Sequence, residues 1–301
     1  MPELHAAERL ELEAIARRFE GALAICASRL DEPASVVEVA ADEVFPAASL
    51  IKVAVALEVF CQIEEGFLAR AERVALKGDD KVIGSGVLTE LADGLTPTLG
   101  DLVYLALAIS DNTAANVLIE RVGVFSVNRR LAKLGLEKTR LSGKILTHET
   151  KHGAPSPEAE DYGAAPSTPK DDRDDGRGER SPTTARELVR LFTAIHKRED
   201  LPPAACEALL DVLQKTQTAS AIRRGLPEAR FRDRTPARLC NKTGSIRGVV
   251  NDAGIVATDR GAYAVALLSK GSKDLRPTQD NVGRIALAEA SRVVYRAMRG
   301  E

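Results

Sequence analysis

Ser49 and Lys52 stand three residues apart in Phe45-Pro46-Ala47-Ala48-Ser49-Leu50-Ile51-Lys52-Val53-Ala54-Val55-Ala56-Leu57. That spacing puts a hydroxyl and an amine on one helical face, one turn apart. The alanines, valines and leucines around them predict a buried helix. A buried lysine loses its water, which disfavours the ammonium form and lets the amine take a proton from the serine hydroxyl. The helix start adds free backbone N–H groups and the positive end of the helix dipole beside the serine. Ser-x-x-Lys alone is a weak pattern, and the chain holds a second copy, Ser167-Thr168-Pro169-Lys170, whose proline argues against a buried helix.

Three further clusters could carry chemistry. Ser110-Asp111-Asn112 falls in a break between two predicted helices, where a hydroxyl and an amide can face a cleft. The same residues would also serve as a C-cap followed by an N-cap. Lys242-Thr243-Gly244 is expected to end a strand, where Gly244 would let a ligand approach the backbone closely. His148-Glu149-Thr150-Lys151-His152 fits H-E-x-x-H, the pattern in which a helix presents two imidazoles to one zinc ion. That segment abuts Gly153-Ala154-Pro155 and lacks an apolar face. No metal or other cofactor is therefore expected; the remote alternative is a zinc hydrolase in which His148 and His152 hold the metal and Glu149 acts as base.

The elements that must position these groups follow from hydrophobic period and end signals. Helices are expected over residues 4–19, from Ser49 to Glu65, from a Thr98/Asp101 cap to Ile109, over Ala114–Val122 and over Val127–Leu134. More follow from Ser181-Pro182 through Ile195, from Pro203 to Lys215 and over Asn281–Met298. Strands are expected at Ala22–Ser28, Ser35–Val39, Ala237–Lys242, Val249–Thr258 and Ala262–Ser269, with Asp259-Arg260-Gly261 turning the last hairpin. Residues 149–180 are rich in proline, glycine and acids and read as a long acidic insertion or mobile loop. Strands at both ends and helices between them give an α+β fold: an antiparallel sheet of N- and C-terminal strands flanked by helices, with an inserted all-helical domain. Residues 1–42 and 216–301 would form the sheet domain and 43–215 the helical one, with a cleft at their junction.

With 301 residues, 44% of them hydrophobic and 29% charged, the chain can bury an ample core. A net charge of −2 gives no electrostatic argument for nucleic acid. No apolar run is long enough to span a membrane, and the charged N-terminus lacks the apolar stretch of a signal peptide. The chain as written reads as cytoplasmic, although a secreted or periplasmic protein whose leader had been removed would read the same. Cys26, Cys61, Cys206 and Cys240 lie in apolar contexts without metal-like spacing and are expected as buried thiols.

Taken in order, Ser49-Leu50-Ile51-Lys52, Ser110-Asp111-Asn112 and Lys242-Thr243-Gly244 resemble the three signatures of the penicillin-recognising serine hydrolases, specifically the class A β-lactamases. Gly84-Ser85-Gly86-Val87-Leu88, Leu99-Gly100-Asp101-Leu102, Asn112-Thr113-Ala114-Ala115-Asn116 and Ser245 with Asn251-Asp252 extend the resemblance over nearly the whole chain except 149–180. The resemblance implies a serine β-lactamase-like hydrolase that forms an acyl-enzyme on Ser49. Lys52 would be a base or proton relay, and Ser110 would pass a proton to the leaving nitrogen. Asn112 would hold a substrate amide, and Lys242 and Thr243 would meet a substrate carboxylate, with Arg247 a second contact and Gly244 giving access. The N–H groups of Ser49 and Ser245 would form the oxyanion hole. The implied partner is a small-molecule β-lactam, peptide or ester bound by a monomer, with no nucleic acid and no membrane.

One departure stands out. Class A enzymes carry a Glu-x-x-Leu-Asn segment after the Ser-Asp-Asn motif, and its glutamate activates the water that frees the acyl-enzyme. Here Thr139-Arg140-Leu141 resembles the approach to that segment, but Ser142-Gly143-Lys144-Ile145-Leu146-Thr147 follows and the nearest acid is Glu149. Without a substitute base the protein would acylate and release slowly, as a penicillin-binding DD-peptidase does, or would act as an esterase whose deacylation uses Lys52.

Overall fold

The computed structural model describes residues 5–145, 181–227 and 237–300. His148, Glu149, His152 and the acidic segment 149–180 lie outside these residues.

The sheet is five-stranded and antiparallel. Its strands are β1 (Ala22–Arg29), β2 (Val36–Val39), β5 (Arg238–Ile246), β6 (Val249–Thr258) and β7 (Gly261–Lys270), in the order β2-β1-β7-β6-β5. The last strand in the chain thus pairs with the first, and β5 is an edge strand. Alternation along β1 sends Leu23, Ile25 and Ala27 to one face, where they pack with α1 (Ala6–Arg18) and α9 (Val282–Arg299). Ala24 and Cys26 face the other way. With Ala253, Ile255, Ala264, Ala266 and Leu268 they join a core shared with the remaining large helices. Those are α2 (Lys52–Glu64), α3 (Leu99–Ala108), α4 (Asn112–Val122), α5 (Val124–Lys133), α6 (Ala185–Lys197) and α7 (Pro203–Leu213). The fold is α+β, with sheet strands from both ends of the chain.

Helix ends carry the expected chemistry. Thr98 and Asp101 close a reciprocal capping box on α3, the Asp101 carboxylate accepting from the Thr98 N–H at 2.9 Å. Asp111, Thr184 and Asn281 cap α4, α6 and α9. Helix α2 is apolar nearly all round, and every residue from Lys52 to Cys61 is buried.

Three local expectations change. Ser49 sits in a 3-10 turn, Ala48–Ile51, and the α-helix proper begins at Lys52. Strand β5 does not end at Lys242: pairing with β6 continues through Gly244 opposite Asn251 to Ile246 opposite Val249. The chain at Ser181-Pro182 is extended instead of helical, as a residue before proline prefers. There β4 (Pro182–Thr183) forms a two-residue ladder with β3 (Phe45–Pro46), and α6 starts only at Ala185. A short α8 (Ala221–Gly225) was not foreseen.

One charged residue in α2 is paired underground. Glu58 accepts from Arg130 Nε at 2.5 Å, while Arg130 Nη2 also donates to Glu65 at 2.8 Å. The Glu58 side chain is 2% exposed and that of Arg130 is 12% exposed. Removing one partner of a buried pair strands the other, at a cost of about 3–5 kcal/mol. Glu58→Ala is therefore expected to lower the urea midpoint of unfolding by a corresponding amount. A midpoint equal to that of the unaltered protein would show that Glu65 alone satisfies Arg130.

Candidate active site

The 3-10 turn stacks side chains three residues apart, so Ser49 and Lys52 share one face at the mouth of α2. Ser49 is half-buried, whereas Lys52 is 1% exposed. An amine at that depth needs oxygens, and the α3–α4 junction supplies them. Lys52 Nζ donates to the Ser110 carbonyl at 2.7 Å and to Asn112 Oδ1 at 2.7 Å, with Ser110 Oγ at 3.3 Å. Burial holds the Lys52 ammonium form well below the ordinary lysine range; Lys242 pushes the same way and Asp111 opposes. A neutral amine has two hydrogens and one lone pair. The two 2.7 Å contacts can use both hydrogens, which leaves the lone pair as the proton acceptor.

The junction is built to present those oxygens. Ser110 takes a left-handed backbone, φ 61°, a conformation that costs a non-glycine residue about 1–3 kcal/mol. Asp111 behind it accepts through both carboxylate oxygens. Its Oδ1 accepts from the Ala114 N–H at 2.9 Å, and its Oδ2 accepts from the Val87 and Leu88 N–H groups at 2.7 and 2.9 Å. Asp111 thus joins α4 to the Gly84-Ser85-Gly86 loop. Gly86 has φ +117°, and a Cβ there would lie 2.2 Å from the Asp111 carboxyl carbon. Asn112 is held by the same loop, its N–H donating to the Ser85 carbonyl at 2.9 Å and its Nδ2 to the Ile83 carbonyl at 3.1 Å.

From the other side comes β5. Gly244 lies against the 3-10 turn so closely that a Cβ would stand 2.9 Å from the Ala47 carbonyl and 3.1 Å from the Ser49 nitrogen. Opposite it on β6, Asn251 Nδ2 donates to the Pro46 carbonyl at 2.8 Å, tying the sheet to the approach to Ser49. Lys242 is fully buried and donates to the Thr243 carbonyl at 2.8 Å. Burial pushes its pKa down to about 7, against the pull of Asp252. Asp252 itself is pushed up to about 6 by burial, although Ser220, Asn241 and the Ile222 N–H all donate to it. Thr243 Oγ1 shares a 2.7 Å hydrogen bond with Thr218 Oγ1.

The structure therefore gathers Lys52, Ser110 and Asn112 in one hydrogen-bonded cluster and packs Gly244 against the backbone of Ser49. Arg247 is exposed at the β5–β6 turn. The guanidinium beside Ser245 belongs instead to Arg284, whose Nη2 donates to Ser245 Oγ at 3.3 Å and whose Nη1 donates to the Ala219 carbonyl at 3.1 Å. Arg284, Asn251 and Thr218 were absent from the candidates read in the sequence, and only Asn251 lay in a segment singled out there. Among the described residues no group of three metal-ligating side chains occurs.

A model of the beta-lactamase enzyme family matches residues 9–298. The chain belongs to that family. Among the family relatives, the beta-lactamase of Bacillus licheniformis is 28% identical over 261 residues, which is 85% of this chain and 73% of that protein. The crystal structure of the beta-lactamase from Sphaerobacter thermophilus DSM 20745 superposes with a TM-score of 0.78 at 30% identity, covering 97% of each chain. PBP-A, as an L158E mutant in an acyl-enzyme complex with penicillin-G, superposes with a TM-score of 0.77 at 26% identity, covering 100% of both. Within this family member, Gly86→Ala tests how far the loop can yield. It is expected to lower the unfolding free energy by about 1–3 kcal/mol, measured by urea denaturation. An unchanged midpoint would mean that the loop moves away from Asp111 without loss.

Proposed function

We propose that the protein is a serine hydrolase that opens β-lactams through an acyl-enzyme on Ser49. The observation that carries this reading is Lys52: a fully buried amine, one turn from Ser49, held by two carbonyl oxygens at 2.7 Å. Its lone pair takes the Ser49 proton as Ser49 Oγ bonds to the lactam carbonyl carbon. When the lactam C–N bond breaks, that proton returns through Ser110 Oγ to the leaving nitrogen. The N–H groups of Ser49 and Ser245 are proposed to hold the oxyanion, supported by the close approach of β5 at Gly244 to the Ser49 turn. Asn112 spends its carbonyl on Lys52 and one N–H on Ile83, which leaves one amide hydrogen for a substrate amide. Lys242 and Thr243 on β5 and Arg284 on α9 offer donors to a substrate carboxylate, with Arg247 further out on the turn.

The relatives support a small-molecule substrate, since they are a beta-lactamase and a protein that forms an acyl-enzyme with penicillin-G. Likeness to PBP-A also supports a second reading, a penicillin-binding protein on the same fold. No helix among the described residues is long and apolar enough to cross a membrane.

Two outcomes test the proposal. A fluorescent penicillin is expected to label the protein covalently, and Ser49→Ala is expected to abolish the label; persistent labelling of the variant would refute the assignment. The pH profile gives the second. Lys242 must carry its proton to attract an anion, and that proton leaves near pH 7. kcat/KM for acylation by an anionic penicillin should fall as pH rises above about 7, whereas a neutral p-nitrophenyl ester should show no such fall. Equal alkaline limbs for both substrates would remove Lys242 from anion binding.

A further inference from the structure

We infer that the cavity beside Ser245 is a second anion subsite, and that the favoured lactams carry two negative charges: the ring carboxylate, and a sulfonate or carboxylate on the neighbouring ring substituent. The inference rests on the lactam reading proposed above and names the substrate class within it. The cavity lies between the β5–β6 turn and the loop that joins β7 to α9, and its volume is about 350 Å³.

Two of its lining residues, Ser245 and Arg284, belong to the proposed substrate site and are joined by a hydrogen bond. The wall continues through Leu275 and Pro277, which offer apolar surface, and through Arg247 and Arg276. Apolar surface with a few placed donors suits a ring that bears an anion. Three guanidiniums line this space against one carboxylate, that of Asp274. The Asp274 carboxylate is already engaged. Its Oδ1 accepts from the Arg276 N–H at 3.1 Å and from Arg276 Nε at 2.9 Å. Its Oδ2 accepts from Arg276 Nη2 at 2.7 Å and from the Val282 N–H at 2.9 Å.

Donors remain for a ligand, because each guanidinium carries five N–H groups. Arg276 uses Nε and Nη2 on Asp274 and on the Asp280 carbonyl at 3.1 Å. Among the described residues nothing accepts from its Nη1, which keeps both hydrogens. The two-point hold on Asp274 fixes the plane of this group before a ligand arrives. Arg284 gives one N–H to the Ala219 carbonyl and one to Ser245 Oγ, and keeps three. Arg247 is exposed and makes no hydrogen bond among the described residues. The ring carboxylate is assigned above to Lys242, Thr243 and Arg284, and the cavity begins at Arg284. A penicillin carries only methyl groups on the ring carbon next to its carboxylate, so it leaves the cavity unfilled. A cephalosporin carries a longer substituent on the neighbouring carbon. An anion on that substituent meets Arg276 and Arg247 while the ring carboxylate meets Arg284.

The test uses cefamandole and cefonicid, two cephalosporins with the same acyl side chain and the same tetrazolylthiomethyl substituent; cefonicid adds a sulfonate to the methyl group of the tetrazole. The second-order rate constant for acylation of the full-length protein is read by intact-protein mass spectrometry at low and high NaCl. At low salt cefonicid is expected to react at least ~5-fold faster, about what one partly exposed ion pair supplies. The ratio of the two rates should fall towards one at high salt, where surface charges are screened. Arg276→Gln should bring the ratio close to one at low salt while the cefamandole rate stays within about twofold of the unaltered value. If the urea midpoint shows that this variant does not fold, the salt dependence of the unaltered protein decides. The inference is overturned if cefonicid reacts no faster than cefamandole, if the ratio ignores salt, or if a folded Arg276→Gln slows both compounds equally. Penicillin labelling of Ser49 without reaction of either cephalosporin also overturns it and leaves the acyl-enzyme reading standing. No adduct with any of the three compounds would refute that reading and this inference with it.

Discussion

An amine buried at the start of an apolar helix is the constraint around which this molecule is arranged. Lys52 cannot reach water, and a lone buried ammonium would be too costly to keep. Its hydrogens must therefore meet oxygens brought from elsewhere in the chain. The break between α3 and α4 brings them, and it does so through a chain of dependent features. Ser110 adopts a left-handed backbone, both Asp111 carboxylate oxygens accept from backbone N–H groups, and Gly86 is compelled by the closeness of that carboxylate. Each feature is unfavourable or restrictive alone and makes sense only as support for the next.

A second buried amine on β5 extends the same logic across the sheet. Lys242 and Lys52 repel each other's positive charge, which favours the neutral form of one of them. Asp252 keeps Lys242 the better proton holder, and three donors keep Asp252 in place. The result is one site with an amine suited to accept a proton and another suited to retain one. Two contacts hold the halves together: the Gly244 backbone against the Ser49 turn, and the Asn251 side-chain amide on the Pro46 carbonyl.

The sequence made the candidate groups more legible than the packing that supports them. Ser49, Lys52, Ser110 and Lys242 stand in short motifs at helix and strand positions, where periodicity and end signals are strong. The Thr98–Asp101 box and the Asp259-Arg260 hairpin were readable for the same reason. What stayed hidden depends on pairing between distant segments. The two-residue ladder at Phe45-Pro46 has no period to detect, and the reach of β5 to Ile246 is decided by β6. Arg284 is one of many arginines until α9 docks beside Ser245. Asn116 looked like part of a motif, but its hold on Ile145 spans 29 positions and no local pattern encodes it.

The place of β7 in the sheet has a consequence for how the protein is made. This strand is the last of the described strands to be synthesised, yet it lies at the sheet's centre, between β1 and β6. Until it emerges, β1 and β2 are a lone hairpin, separated in the sheet from the β5–β6 hairpin that carries Gly244 and Asn251. Such a topology closes its longest loops last, which slows folding and leaves strand edges open in the meantime. The β1–β2 hairpin and the β5–β6 hairpin are therefore joined into one sheet only after β7 has been made.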